Sequence, residues 1–375
     1  MNAQLPKQMK AVVIGNGKAV VKKDCPIPEI EDDFMLIKVI AVAGNPSEWK
    51  HIDMKLGPEG SILGCDAVGK VLKLGSKVDT NQFHVGDIVL SFVHGASNQR
   101  PKNGAFGEYI AVDQATTYKA PANIKHTDLK NLYYGPCNTF EGAVALPVSL
   151  TTAGIVIHHD MGLKLAWEPK EPQHDFPILI WGGATGVGQI LVQLAKKIHG
   201  YSKIVVVASK KHEEMLKSFG ADEVYDYHDE NIAQVIKSKY PNIQHAIDTV
   251  STEQTFSTTY KCVDDVNPVS LMQLLFLSEN DIPVEDRKPN VKVLSTMIYK
   301  VCGMDIRMAD FKFPKDVTYR KDTFEFVKFI RPYVQNGEIK HMPVKVFDNG
   351  LEDIPEITNM IRDGKAAGVK FVTVL

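Results

Sequence analysis

An excess of charge of either sign is missing from this chain of 375 residues: 43 Lys and Arg stand against 45 Asp and Glu, a formal net charge of −2. That balance exerts no general pull on nucleic acid or anionic lipid. No basic stripe with interleaved aromatics is present either, so neither a nucleic-acid nor a membrane partner is expected. Cysteine is scarce. Cys25, Cys65, Cys137, Cys262 and Cys302 are scattered, odd in number and form no C-x-x-C pair. The spacing excludes a disulfide framework and a four-cysteine structural zinc loop, and a reduced intracellular compartment follows. Met1 to Lys10 is polar and lacks the apolar stretch of a secretory signal. No apolar run in the sequence approaches membrane-spanning length. A cytoplasmic chain is the expectation. Internal repeats and low-complexity segments are absent.

Hydrophobic residues make up 44% of the chain, enough for sizeable cores, and the length suits two domains. The most informative stretch is Pro177 to Ala195. An apolar run, Ile178 to Trp181, has the length of a buried parallel strand. The sequence Gly182-Gly183-Ala184-Thr185-Gly186-Val187-Gly188 follows, and then Val187, Ile190, Leu191 and Leu194 recur at helical spacing. Strand, glycine turn and helix make a phosphate cradle, because N–H groups at a helix start and the helix dipole both favour an anion. Gly183, Gly186 and Gly188 read as G-x-x-G-x-G, with Thr185 where G-x-G-x-x-G has its second glycine. A tight turn without a ligand has the same spacing. The context favours a ligand: Ile204 to Ala208, a helix from His212 to Phe219, Ala221 to Tyr227 and Ala246 to Val250 continue a βαβαβ order, the mononucleotide-binding half of a doubly wound sheet. The cradle residues Gly183, Ala184, Thr185, Gly186, Val187 and Gly188 are therefore cofactor-binding candidates.

The residue ending the second strand sets cofactor choice. A carboxylate there would hold the ribose hydroxyls of NADH. Here the position falls on Ser209, followed by Lys210, Lys211 and His212. A hydroxyl and ammonium groups suit a 2′-phosphate, so NADPH is expected in preference to NADH, with NADH possible. Two lysines opening a solvated helix are the plain alternative. Ser209, Lys210 and Tyr227, which closes the third strand unit, join the cofactor set.

Before the cradle, short strands with glycine turns predict a β-rich, partly closed domain. They run over Met9 to Lys22 around Gly15-Asn16-Gly17, over Phe34 to Ala43, Ile62 to Val71 and Val85 to Val89. Leu146 to Val156 predicts a helix leading into the nucleotide domain. After Val250, strands are expected over Val269 to Leu277 and Val291 to Val301. Helices are expected over Asp316 to Val334 and Ile354 to Ile361, and a closing strand over Val369 to Leu375. The expected organisation is α/β with a discontinuous β-rich domain, 1–154 and 311–375, around a dinucleotide-binding domain, 155–310.

Gly64-Cys65-Asp66-Ala67-Val68-Gly69, Val85-Gly86-Asp87, Gly104 to Tyr109 and the Gly183 cradle together resemble the medium-chain dehydrogenase/reductase superfamily, over nearly the whole chain. Asn45-Pro46-Ser47-Glu48-Trp49-Lys50 resembles its zinc-free fungal branch of yeast alcohol-dehydrogenase-like proteins and trans-acting enoyl reductases. The resemblance implies a GroES-like catalytic domain and a Rossmann domain, with the active site in the cleft between them. It equates the family's first zinc-binding cysteine with Asn45, its Gly-His-Glu with Gly64-Cys65-Asp66, and its later cysteine with Val148. Asn and Val are poor zinc ligands, so no metal is expected and Cys65 reads as a packed core thiol; a metal held by Cys65, Asp66 and His51 or His94 is the alternative. Ser47 matches the hydroxyl that contacts substrate oxygen. Lys50 matches the proton-relay position and a lysine of the enoyl reductases. Thr152 matches a threonine beside the nicotinamide. An N-cap serine, a surface lysine and simple helix packing are the plain alternatives.

Without a Lewis acid, reduction of an activated acceptor is the accessible chemistry. The expected activity is an NADPH-dependent, zinc-independent reductase of α,β-unsaturated carbonyls. Asn45, Ser47 and Lys50 would be donors to the developing oxyanion, and Lys50 the proton source. Aldehyde reductase and quinone oxidoreductase are the alternatives within enzymes. A cofactor-bound RNA- or partner-binding protein is the alternative outside them. The expected state is a monomer or homodimer acting on a small-molecule carbonyl.

Overall fold

The first two strands meet at Asn16 and Gly17, whose φ values of 51° and 69° are both left-handed. Two successive left-handed residues are what a tight hairpin of right-twisted strands needs. Gln8–Gly15 and Lys18–Pro26 pair through that turn, Gly15 opposite Lys18. The computed structural model describes residues 5–375. The chain divides into two compact units, one made of the residues up to Thr151 plus Tyr299–Leu375, the other of Thr152–Ile298. The return to the first unit thus falls at Tyr299 rather than at the expected 311.

In the first unit a sheet runs Thr117–Lys119, Ile88–Phe92, Asp66–Leu74, Phe34–Ala43, Lys370–Val374, Val344–Phe347 and Asn131–Leu132, and Tyr109–Asp113 also pairs with Phe34–Ala43. Its core includes Met35, Ile37, Val39, Phe106, Ile110 and Phe371. The register sets Ala43 opposite both Asp66 and Val372. Three remote parts of the sequence therefore meet at the end of one strand. Directly after that end, Asn45 caps the helix Pro46–Asp53, with Pro at its first turn. Glu48 reaches back to accept from Asn45 N–H at 2.5 Å, a capping box.

The second unit is built on six parallel strands in the order Glu223–Tyr225, Ile204–Val207, Ile178–Trp181, His245–Asp248, Val269–Gln273, Val291–Ser295. The apolar runs Ile178–Trp181 and Ile204–Val207 are buried along their whole length, as a parallel sheet covered by helices requires. The GroES-like plus Rossmann α/β class read from the sequence is the class observed.

Two sequence expectations change. The apolar run Val291 to Val301 is not one strand: the strand stops at Ser295, and Ile298–Cys302 is a 3₁₀ turn whose Tyr299 and Val301 are buried in the first unit. One hydrophobic run serves two cores, which periodicity cannot show. And one stretch does reach spanning length: Phe140–Asp160 has 21 residues and a mean hydropathy of 1.6. The sequence reading began its helix only at Leu146, whereas Phe140–Ala143 is already helical ahead of Pro147–Ile155. Of its most apolar window, 89% is buried, the condition of a core helix.

At the N-terminal edge of the parallel sheet, Tyr201 O–H and His245 Nδ1 lie 2.8 Å apart, with His174 stacked on the Tyr201 ring. Burial, and then the His174 charge, lowers His245 to about 4. The unfolded chain binds that proton near the ordinary histidine value of 6.5, so stability is lost as pH falls from about 6.5 towards 4. His245→Phe is expected to flatten this acid limb by up to about 3 kcal/mol; urea unfolding at pH 6.5 and 4.5 gives the two slopes, and identical slopes would refute the assignment.

Candidate functional site

In the second unit the glycine turn begins at Gly182, held left-handed at φ 78°. Gly182 and Gly183 both donate to Val207 O, at 2.9 and 3.0 Å. Thr185 caps the helix Gly186–Lys197, its hydroxyl accepting from Gly188 N–H at 3.0 Å. The same hydroxyl lies 2.8 Å from Thr249 Oγ1, which in turn reaches the carbonyls of Trp181 and Gly182. Gln189 Nε2 holds Ala184 O at 2.9 Å. Thr249 and Gln189 were not singled out from the sequence; the end position of Thr249 on the fourth strand was the available signal.

The glycines divide by purpose. A Cβ on Gly183 would stand 2.1 Å from Val206 Cγ1, and one on Gly188 2.3 Å from Gly182 O. These two are packing glycines, where the sequence reading gave all three to phosphate approach. Gly188 N–H is spent on the cap. The N–H groups of Ala184, Gly186 and Val187 meet no acceptor among the described residues. Unsatisfied peptide donors at the N-terminus of a 12-residue helix fit a pyrophosphate.

Beyond the second strand, Ser209 Oγ has no partner among the described residues, whereas Lys210 Nζ is engaged by Glu213 at 3.0 Å and by Val224 O at 3.1 Å. Asp226, arriving from the third strand, accepts from Lys210 N–H at 3.3 Å. The sequence reading placed no carboxylate here, because Asp226 is remote in sequence and adjacent only in the sheet. Hydrogen bonds from His228 hold its carboxyl below the usual range. Tyr227 is 51% exposed and leans on the His228 ring, centroids 4.1 Å apart. Thr152 is buried within the apolar helix Pro147–Ile155.

In the first unit, Ser47 and Lys50 lie on the helix Pro46–Asp53. Lys50 is half-buried and lies 5.7 Å from the Trp49 ring centroid, and no carboxylate among the described residues pairs with it. Burial lowers its pKa. Ser47 Oγ stands 3.3 Å from Cys65 Sγ, and Cys65 Sγ 3.9 Å from Tyr299 Oη. Tyr299 stacks on His94 at 3.7 Å and meets the edge of His51 at 5.6 Å. Burial pushes the Cys65 thiol and the Tyr299 phenol up and the two histidines down, so all four stay neutral near pH 7. Tyr299 was hidden in the sequence inside a presumed strand.

Asn45 is not an available donor, a correction to its expected catalytic part. Its amide N–H₂ is spent on Asp66 Oδ2 at 3.0 Å and Ala43 O at 3.3 Å, and its carbonyl accepts from Lys370 Nζ. Asp66 is fully buried, its other oxygen taken by Val148 N–H at 2.7 Å. These residues do not fit zinc. Val148 has no donor side chain, Asn45 is saturated, Cys65 keeps its proton, and both Asp66 oxygens are occupied.

Glu48 is buried with Oε1 unpartnered. Burial raises its pKa to about 7. The folded chain holds that proton where the unfolded chain releases it, so stability falls as pH rises from about 4.5 to about 7. Glu48→Gln keeps an acceptor for Asn45 N–H and is expected to remove up to about 3 kcal/mol of this decline. Urea midpoints of both proteins at pH 5 and pH 8 measure it; a decline of equal size in the variant would refute it.

Residues 31–122 match the alcohol dehydrogenase GroES-like domain and residues 186–307 the zinc-binding dehydrogenase domain. An uncharacterized protein of Saccharomyces cerevisiae is 51% identical over 375 residues, 100% of both chains. Trans-enoyl reductase TOXD of Cochliobolus carbonum is 35% identical over 235 residues, 62% of this chain and 72% of its own. The fold is shared with a crystal structure of quinone oxidoreductase from Pseudomonas syringae at a TM-score of 0.71 and 16% identity, covering 98% of this chain and 100% of that one. With a GroES-like sheet in one unit, a glycine-turned parallel sheet in the other and these relatives, the chain belongs to the medium-chain dehydrogenase/reductase superfamily, in its fungal branch.

Proposed function

We propose that the chain is an NADPH-dependent reductase of activated carbonyl compounds, α,β-unsaturated carbonyls first among them, working without zinc. The observation that carries the reading is Lys50, a half-buried ammonium with no carboxylate partner among the described residues and a lowered pKa. An unpaired, desolvated ammonium releases its proton more readily than a solvated one. The name of the Cochliobolus relative supports reduction of an enoyl group.

The residues that would hold NADPH are the free peptide donors of Ala184, Gly186 and Val187 for the pyrophosphate, and Ser209 with Lys211 for the 2′-phosphate, Lys210 being turned to Glu213 and Val224 O. When bound, NADPH supplies hydride to the β-carbon of the acceptor, leaving negative charge on its oxygen. Ser47 answers that charge. Ser47 Oγ and Cys65 Sγ lie 3.3 Å apart, and with the protonated thiol as the donor of that contact the hydroxyl hydrogen of Ser47 would be free for substrate oxygen. Lys50 Nζ would then deliver its proton to the α-carbon of the enolate, giving the saturated carbonyl. An aldehyde or quinone would use the same two donors, so the acceptor is decided by NADPH oxidation against a panel of enones, quinones, aldehydes and acyl thioesters. Oxidation with none of them would refute the reading.

Lys50→Ala is expected to lower kcat by about 100-fold, the worth of a positioned proton donor, while leaving the NADPH Kd within about twofold; unchanged turnover removes Lys50 from the reaction. Because Lys50 acts protonated, wild-type kcat falls as pH rises through its depressed pKa, and a profile flat on the alkaline side speaks against it. Gly186→Val places a branched side chain beside the free donors and is expected to weaken NADPH at least tenfold, measured by fluorescence titration; unaltered affinity means the phosphates lie elsewhere.

A further inference from the structure

Tyr299 enters the first unit on the 3₁₀ turn Ile298–Cys302 and is buried there, 6% exposed. Aromatic packing fixes its ring. His94 lies against one face, centroids 3.7 Å apart with 13° between the planes, Phe92 is near-parallel at 6.1 Å, and His51 meets the ring edge-on at 5.6 Å. The hydroxyl of a ring held in this way ends on Cys65 Sγ at 3.9 Å. Sulfur is a weak acceptor, and a buried phenol ordinarily finds a stronger partner. Ser47 Oγ stands 3.3 Å from the same sulfur, so the serine and tyrosine hydroxyls flank one thiol. Burial raises the phenol and the Ser47 hydroxyl lowers it, the effect of a hydroxyl within reach. Ser47 is half-buried where Tyr299 is buried, so an oxygen reaches the pair from the Ser47 side.

Two further atoms mark the place as one for a polar ligand. His51 Nε2 and His94 Nε2, on residues 3% and 8% exposed, have no partner among the described residues, and both rings pack on Tyr299. Buried polar atoms left unanswered beside one ring are exceptions in a folded core, where nearly all such atoms are paired.

We propose that Tyr299 is a second oxyanion donor: its O–H and that of Ser47 bind the same substrate oxygen and share the charge that develops there. The role of the substrate oxygen rests on the function proposed above; the convergence of the two hydroxyls does not. The phenol keeps its proton throughout, so no bond to hydrogen breaks at Tyr299. It exchanges a long contact with sulfur for a short bond to a charged oxygen, and bonds to ionised acceptors are roughly twice as strong as neutral ones. A ring already fixed by His94 and Phe92 needs little reorganisation as the charge appears, which is the condition for such a donor to act on the transition state.

The test without turnover uses p-nitrophenolate, a planar anion whose oxygen stands in for that of an enolate, titrated by absorbance into the full chain with NADP⁺ present. The control is p-nitroanisole, which has the same ring and no anionic oxygen. Tyr299→Phe keeps the ring and its stack and removes only the O–H. It is expected to weaken p-nitrophenolate at least about tenfold, the effect of losing a hydrogen bond to a charged group, while p-nitroanisole stays within about twofold. Ser47→Ala is expected to do the same. Unchanged phenolate binding in Tyr299→Phe overturns the donor role, and so does an equal loss of both probes, which would leave the ring a packing residue. In the wild type, bound p-nitrophenol is expected to ionise at least about tenfold more readily than free; a bound probe that stays protonated, or no binding at all, overturns the proposal even where the variants do not fold. With the acceptor that the wild type reduces, Tyr299→Phe is expected to lower kcat about 100-fold at an unchanged NADPH Kd, and an unchanged kcat overturns the proposal. Probe results as expected, with no acceptor oxidising NADPH, would count against the proposed activity alone.

Discussion

A carboxylate removed from water has to be answered by the protein around it, and in the first unit that carboxylate is Asp66. Its answers come from Val148 N–H, the Asn45 amide and the Lys370 ammonium. Breaking one partner of such a pair costs roughly 3–5 kcal/mol, because the survivor stays buried and charged. The three answers are spread from residue 45 to residue 370 in sequence. The discontinuous first unit is therefore closed, at this point, by an electrostatic requirement as well as by the strand pairing of Lys370–Val374 with Phe34–Ala43.

The surroundings of Asp66 are dry, and dryness sets the protonation states. Glu48 is raised to about 7, Cys65 and Tyr299 are pushed up, His51 and His94 are pushed down. Desolvation is the leading cause in every case. What remains is a group of neutral donors with Lys50, a cation unpaired among the described residues, at its edge. Hydrogen bonds among such groups are stronger where water is excluded.

The second unit solves a different problem. A parallel strand and a helix must approach closely, and then leave peptide donors facing outward. Gly183 and Gly188 serve the first need, since a Cβ at either would strike Val206 or Gly182. Thr185 and Thr249 tie the turn to the strands on both sides. Among the described residues the N–H groups of Ala184, Gly186 and Val187 are left unanswered, and the dipole of the helix adds to them.

Much of this was readable in the residues themselves. The strand–glycine–helix stretch at Ile178 to Ala195, the βαβαβ order after it, the hairpin at Asn16-Gly17 and the helix at Val317–Gln335 all follow from local periodicity and turn chemistry. The family resemblance, which rests on short stretches such as Gly64 to Gly69, supplied Ser47 and Lys50. Local sequence determines these because their causes act over a few residues: alternation, capping and the conformational freedom of glycine. Tertiary structure alone decided the rest. Asn45 turned from a substrate donor into a cap fixed by Lys370, Asp226 came beside Lys210 across neighbouring strands, and Tyr299 left an apparent strand to stack on His94. Each of these depends on burial and on partners remote along the chain, and the strength of a charge or hydrogen bond is set by what surrounds it in space.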